Sequence, residues 1–358
     1  MFNLKYEFFR LRDKLYSTYF FSSIEELGKV PPPAYVLWDA TRRCNLNCLH
    51  CGATKESYEK ELTTQEIKSV IDDLSDMGVT FFSVTGGEPF VRDDLLEVLS
   101  YASSKGLKTI IASNGFLIDE EKSREIKGAN ISSVMVSLDG IEQTHNRIRD
   151  HSNSYAKALD AIRFMIRDGI PLISVGTTVS PENINELDEL KDIISSLGVK
   201  RWRLSVVMPI GRAESGKLSL KQKELKQFFD WIIKNKKGDI DLKIGENLTY
   251  LGAYEKRIRD NPLLCPVGFT ACCIGTDGHV RGCPEQPDDH KFREGSLLEK
   301  SFPDIWGDGF RRYRERVVIE EDLRCRDCKD KASCRGGCYV MREGDIHCIH
   351  DLLSTNII

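Results

Sequence analysis

Short apolar runs and longer amphipathic stretches take turns along this chain. Strand-like runs rich in Val, Ile, Phe and Thr fall at 35–40, 79–85, 107–112, 133–138, 172–179 and 201–208. Between them, 63–77, 93–105, 155–168 and 185–197 carry apolar residues at helical spacing. Thr63 followed by Glu66 reads as a capping box opening the first helix. A glycine separates helix from next strand in turn, at Gly78, Gly106, Gly128, Gly169 and Gly198. That is the residue type that takes the left-handed stop at a helix C-terminus. Six strands alternating with helices predict a parallel α/β sheet built of βαβ units. In such architectures functional groups collect at the carboxyl ends of the strands. The pattern alone fits a barrel and a doubly wound sheet equally well.

This periodicity divides the chain. Residues 1–34 form an aromatic-rich, helix-compatible extension ending at Pro31-Pro32-Pro33, a stiff extended spacer. The repeating core spans 35–235, a linker is expected at 236–264, and 265–350 is a cysteine-rich C-terminal domain. With 41% apolar and 30% charged residues over 358 positions, the composition is that of an ordinary globular protein. A net charge of −4 provides no general basic surface, which argues against nucleic-acid binding. No run of about 18 apolar residues predicts a membrane span. Lys5, Glu7, Arg10, Arg12, Asp13 and Lys14 stand where a signal peptide needs its apolar core, so a cytoplasmic location is expected. Twelve cysteines in a reducing compartment point to metal binding rather than disulfides.

The most informative cysteines are the first three. Cys44, Cys48 and Cys51 sit within eight residues, begin four residues after the first strand run, and are followed by no other cysteine until Cys265. A closed zinc or Cys₄ cluster site needs four ligands; three thiolates on a four-iron cluster leave one iron open. The spacing C-x3-C-x2-C resembles the signature of the radical S-adenosylmethionine (radical SAM) enzymes. That resemblance implies a partial (β/α)6 TIM-like barrel, open on one side. It also implies a [4Fe–4S] cluster whose open iron binds SAM and yields a 5′-deoxyadenosyl radical.

Further segments resemble the family in order. Gly86-Gly87-Glu88-Pro89 closes the second strand run, and by resemblance Gly86, Gly87 and Glu88 meet the SAM amino group. Ser113-Asn114-Gly115 resembles a segment near the ribose. Ser137-Leu138-Asp139-Gly140, followed by His145, Arg147 and Arg149, resembles a stretch in which Ser and Arg meet the SAM carboxylate. Asp150 replaces the usual Gly there, which leaves the choice between Arg147 and Arg149 open. Val207-Met208-Pro209-Ile210-Gly211-Arg212 resembles another recurrent segment, and His50 stands where the family often has an aromatic residue near the adenine.

From Cys265 onward, Cys283 follows Gly278 at five positions, and Cys325, Cys328, Cys334, Cys338 and Cys348 follow. This set resembles the SPASM domain, which implies two auxiliary [4Fe–4S] clusters. By resemblance Cys265, Cys272 or Cys273, Cys283 and Cys338 hold the nearer cluster, and Cys325, Cys328, Cys334 and Cys348 the farther one. A pair of zinc sites is the competing reading. His347 and His350 read as surface residues. Glu285 is a candidate base, although sulfatase-maturing relatives carry Asp directly after the matching cysteine and this chain has Pro284 there.

The resemblance implies a net oxidation, such as a crosslink on a peptide or protein substrate, fed by a flavodoxin- or ferredoxin-type reductant. Two alternatives stand beside it. The lead-in from Val36 to Leu46 resembles tetrapyrrole-modifying members of the haem or haem d₁ type. A non-catalytic iron–sulfur carrier is the other, and a SAM site has no use in such a protein.

Overall fold

The computed structural model of the chain describes residues 30–52, 60–245, 247–248, 250–259, 265–286, 289–314, 323–328, 334, 336–343 and 348. Most of the expected N-terminal extension, with His347 and His350, lies outside the described residues.

Six βα repeats build the core. Strands β1 (Tyr35–Asp39), β2 (Phe81–Thr85), β3 (Lys108–Ser113), β4 (Ser133–Ser137), β5 (Ile173–Val179) and β6 (Arg201–Val206) pair in sequence order, every pair parallel. Between them run α1 (Thr64–Asp76), α2 (Leu95–Ser104), α3 (Glu120–Gly128), α4 (Glu142–Arg149), α5 (Ser154–Arg167) and α6 (Leu187–Ser196). Thr63 does cap α1, receiving the Glu66 amide while the Glu66 carboxylate takes the Thr63 amide. The strand alternation divides two environments. Val36, Trp38, Phe82, Val84, Val134, Val136, Val175, Trp202 and Leu204 are buried in the apolar core with Ile67, Ile71 and Leu74 of α1. The alternate positions Thr85, Ala112, Met135, Ser137, Thr178 and Ser205 instead line one interior cavity.

Two expectations are corrected here. Residues 236–264 are not a linker: after α7 (Gln222–Asn235), β7 (Asp241–Ile244) adds in parallel to β6. Its run is too short and too charged to stand out by hydropathy, and pairing with β6 makes it a strand. Gly128 does not stop its helix, because it is the last residue of α3 and Asn130 takes the left-handed conformation, at φ 57°. Asn is among the few residues other than glycine that visit that region, and here its side chain donates across to Ser103. The remaining four glycines are left-handed as expected.

The cysteine-rich segment extends the same sheet. β8 (Ala271–Ile274) pairs in parallel with β1, and β9 (His279–Arg281) and β10 (Arg293–Ser296) follow as antiparallel neighbours. The order is β10-β9-β8-β1-β2-β3-β4-β5-β6-β7, an open sheet whose two ends do not pair among the described residues. Helix α8 (Phe302–Asp308) then packs back on α1, with the Phe302 amide donating to Asp73 at 3.1 Å and the Trp306 indole to the Pro31 carbonyl at 2.9 Å. Arg314 stacks over Trp306 and donates to the carbonyls of Gly268 and Trp306. Among the described residues no helix is long and apolar enough to cross a membrane.

Gly198 has φ 78° and no atom within 4 Å of where a Cβ would stand. Gly198→Ala therefore tests backbone strain alone. It is expected to cost about 1–2 kcal/mol, read as a lower midpoint in urea at unchanged slope.

Candidate active site

A cavity of about 880 Å³ opens at the carboxyl ends of the strands, and Cys44, Cys48 and Cys51 all line it. The loop that carries them has no regular structure, so its position comes from its neighbours. Gly87 and Glu88 donate their amides to the carbonyls of Thr41 and Arg43, at 2.6 and 2.9 Å. This approach needs glycine: a Cβ on Gly87 would stand 2.1 Å from the Arg43 carbonyl oxygen, and one on Gly86 2.5 Å from that of Thr41. On the far side the Leu49 amide donates to the Ile148 carbonyl at the end of α4. The Arg212 amide reaches the Cys51 carbonyl at 3.0 Å and its Nε the Cys48 carbonyl at 2.6 Å. Gly211, at φ 57°, brings that segment close, since a Cβ there would lie 2.6 Å from the Cys51 carbonyl oxygen. Asp150 turns left-handed at φ 55° in place of glycine, and its carboxylate takes a bond from Asn47 of the cysteine loop. The substitution thus adds a clamp on that loop.

Gly86, Gly87, Ser113, Asn114, Ser137, Arg149 and Glu285 line the cavity; Glu88, Pro89 and Asp139 do not. Glu88 is fully buried and accepts from the Phe90 amide, the Ser113 hydroxyl and the Asn114 amide, which ties the β2 loop to the end of β3. Burial pushes its carboxyl up to about 7, although the bonds from Asn114, Ser113 and Phe90 pull the other way. Asp139 is also fully buried, paired with Arg149 at 2.5 Å and with His50 at 3.0 Å, while the Thr178 amide donates to it. Burial opposes its ionisation, yet the charges of Arg149 and His50 win and hold it below the usual carboxylate range. Arg149 spans from Asp139 to Cys48, placing Nη1 3.8 Å from that sulfur. Arg147 is exposed and paired with Glu182, whereas Arg149 lines the cavity. His145 donates nothing to the cavity; its Nδ1 accepts the Asp139 amide.

Three thiols on an irregular loop at one cavity wall fit the open-sided cluster that the sequence implies. Burial raises Cys44 and Cys48 above the ordinary thiol value, so iron binding must displace their protons. Among the described residues, no three His, Cys, Asp or Glu converge as a single-ion site would require. The auxiliary cysteines sort by position. Cys283 feels the charges of Cys338 and Cys265 and packs with Cys338 against Met208 and Ile210. Gly336 and Gly337, at φ 96° and 64°, pass the chain to Cys338 in conformations other residues avoid. Cys325, Cys328, Cys334 and Cys348 are half-buried. Glu285 reaches back from the loop after Cys283: a Cβ on Gly52 would meet its Oε2 at 2.9 Å. Solvent reaches its carboxylate through the cavity mouth, but the enclosing walls and Asp39 raise its proton affinity.

Sequence reasoning missed two residues of this wall and one brace beneath it. Asn247 and Thr276, beyond β7 and β8, line the cavity, each with a buried side-chain oxygen that has no hydrogen-bond partner. Arg92 cross-braces the site from beneath, donating to the carbonyls of Ala40 and Leu62 and gripping Asp94. The only signal for Asn247 was a polar residue after an unrecognised strand.

Comparison with known proteins agrees with this geometry. The family model described as the radical SAM superfamily matches residues 38–194, and SPASM, the iron–sulfur cluster-binding domain, matches 265–329. Fe-coproporphyrin III synthase of Methanosarcina barkeri is 30% identical over 342 residues, covering 86% of this chain and 84% of that protein. Mycofactocin maturase MftC of Mycolicibacterium smegmatis is 30% identical over 319 residues, covering 87% and 79%. Streptococcus suis SuiB bound to S-adenosylmethionine shares the fold at a TM-score of 0.73 and 15% identity, over 95% of this chain and 80% of that one.

Two outcomes follow. Gly87→Ala, which forces the Arg43 backbone away, is expected to lower bound iron from about twelve to about eight per chain after anaerobic reconstitution, with SAM cleavage lost. For Glu88, the folded value of about 7 lies above the ordinary glutamate value of 4.5. The folded chain keeps a proton that the unfolded chain has lost, so this stabilisation is complete below about pH 4.5 and fades as pH rises through about 7. Tryptophan-monitored unfolding should show wild type losing stability relative to Glu88→Gln across that window.

Proposed function

Because the chain belongs to the radical SAM superfamily and carries a SPASM cluster-binding domain, we propose that this enzyme oxidatively modifies a peptide or protein. One observation carries the reading. Asn247 Oδ1 and Thr276 Oγ1 stand at the cavity wall as buried acceptors without partners, and an extended backbone brings amide N–H groups that such atoms need. They follow β7 and β8, on the two arms of the sheet that do not pair, where a chain can enter from the side. The relatives in this group include a maturase, and SuiB has been solved with its precursor peptide SuiA.

When bound, SAM and the clusters supply a hydrogen-abstracting radical and an acceptor for one electron. The chain supplies placement. Gly86, Gly87, Ser113, Asn114 and Ser137 offer backbone and polar contacts to SAM, and Arg149, oriented by Asp139, offers a cation for its carboxylate. Glu285 is placed to take the proton that a net oxidation releases, its raised affinity suiting that task. A flavodoxin- or ferredoxin-type protein is the expected electron source.

A second reading has its own support. Arg42, Arg43 and Arg212 also line the cavity, and guanidinium groups fit carboxylates such as tetrapyrrole propionates; the Methanosarcina barkeri relative is named as a porphyrin synthase. The two separate in one assay. Dithionite-reduced enzyme with SAM is offered a library of short peptides, or an iron porphyrin. The expected product is a peptide short of two hydrogens, formed with 5′-deoxyadenosine. Turnover of the porphyrin alone would sink the peptide reading. Asn247→Leu should raise KM for the peptide about tenfold with kcat little changed, the loss of one buried hydrogen bond.

A further inference from the structure

Tyr313 is fully buried, although its phenol carries a polar end. The residues around its ring are chain neighbours of three auxiliary cysteines. Gly282 stands just before Cys283, and a Cβ there would lie 2.7 Å from the Tyr313 hydroxyl and 2.8 Å from its Cζ. The same Cβ would lie 2.5 Å from Val267, two residues after Cys265. Tyr339, just after Cys338, meets the Tyr313 ring edge-on with centroids 4.9 Å apart. Cys265 and Cys283 themselves pack against the apolar core that contains Tyr313, Val267 and Tyr339.

Gln286 sets the direction of the phenol. Its Oε1 accepts the Cys283 amide at 3.0 Å, so its Nε2 is the atom that donates to the Tyr313 oxygen, at 2.6 Å. Gln286 is buried as well. Toward Gln286 the phenol is therefore an acceptor, and its own hydrogen is left to point elsewhere. Among the described residues no protein atom takes that hydrogen, and a buried donor is costly to leave unpaired. Burial above all holds the proton on the oxygen, and the negative charges of Glu294, Cys265 and Cys283 add to this, while the Gln286 bond opposes it.

We propose that Tyr313, held by Gln286, gives its O–H to a sulfur of the auxiliary cluster beside the barrel and so makes that cluster easier to reduce. Hydrogen bonds to the sulfurs are among the factors that set the potential of an iron–sulfur cluster. One received from a phenol spreads the negative charge of the added electron. No proton moves in this step; the electron enters the cluster and the O–H bond stays whole. Such tuning suits a cluster that must accept an electron from a substrate radical. The effect belongs to the cluster and is the same whichever substrate is turned over, so its test is separate from that of the peptide reading.

The full chain carrying Cys44→Ala, Cys48→Ala and Cys51→Ala loses the SAM-binding cluster and keeps the auxiliary pair, about eight irons after anaerobic reconstitution. The two paramagnetic signals are followed through a redox titration, and the signal that Cys283→Ala removes marks the cluster beside the barrel. Tyr313→Phe preserves the ring and its packing. It is expected to retain about eight irons and to make that cluster about tenfold harder to reduce, a fall of about 59 mV for one electron. The farther cluster is expected not to move and serves as the internal reference. Should the phenylalanine variant not retain its iron, 3-fluorotyrosine at position 313 keeps the hydroxyl and makes it a stronger donor, and the potential is then expected to rise. A potential left unchanged or raised by Tyr313→Phe, or unmoved by the fluorinated phenol, would overturn the proposal.

Discussion

An irregular loop has no hydrogen-bond ladder of its own, and the loop bearing Cys44, Cys48 and Cys51 depends on backbone contacts from its surroundings. The closest of these is the approach of Gly86 and Gly87 to the Thr41–Arg43 backbone, where a single methyl would collide with a carbonyl oxygen. Ile148 from the end of α4 and Gly211-Arg212 beyond β6 grip the other side. A cluster site needs its donors held to within a fraction of an ångström. Strand ends can provide that because the sheet beneath them is hydrogen-bonded from strand to strand and packed against the helices on its outer face.

The second constraint is electrostatic. Asp139 and Arg149 are buried together, and such a pair is costly to desolvate unless its remaining polar atoms are satisfied. Here the Thr178 amide and His50 share the carboxylate, and one Arg149 nitrogen turns to Cys48. The pair gives the site a cation of fixed direction beside the cysteine loop, which suits an anionic cofactor group. Asp39, Arg42 and Arg281 form a similar buried group at the carboxyl ends of β1 and β9. Burial raises Asp39 despite both arginines.

The fold leaves the substrate open. Relatives of about equal identity are named as an Fe-coproporphyrin III synthase and a mycofactocin maturase, and function resides in sites grafted on a shared scaffold. The wall completed by β7, β8 and the loop after β9 closes one side of the cavity. This chain places Asn247, Thr276 and Glu285 there.

The six-fold βα repeat, the strand ends and the capping box at Thr63 were all legible as periodicity, because a strand half in the core and a helix with one apolar face must alternate in hydropathy. The cysteine triad and Gly86-Gly87 were legible as chemistry, since few other residues serve those purposes. Other features were not. β7 is short and charged, and becomes a strand only because β6 offers an unpaired edge; the C-terminal hairpin likewise joins the barrel through β8 and β1. Adjacent Cys272 and Cys273 look equivalent in a row of letters, and only register against Val36 and Leu37 turns one to the core and the other inward. Spacing along a chain fixes which residues are near in sequence; which atoms meet across strands is set by pairing and packing, and there the site was decided.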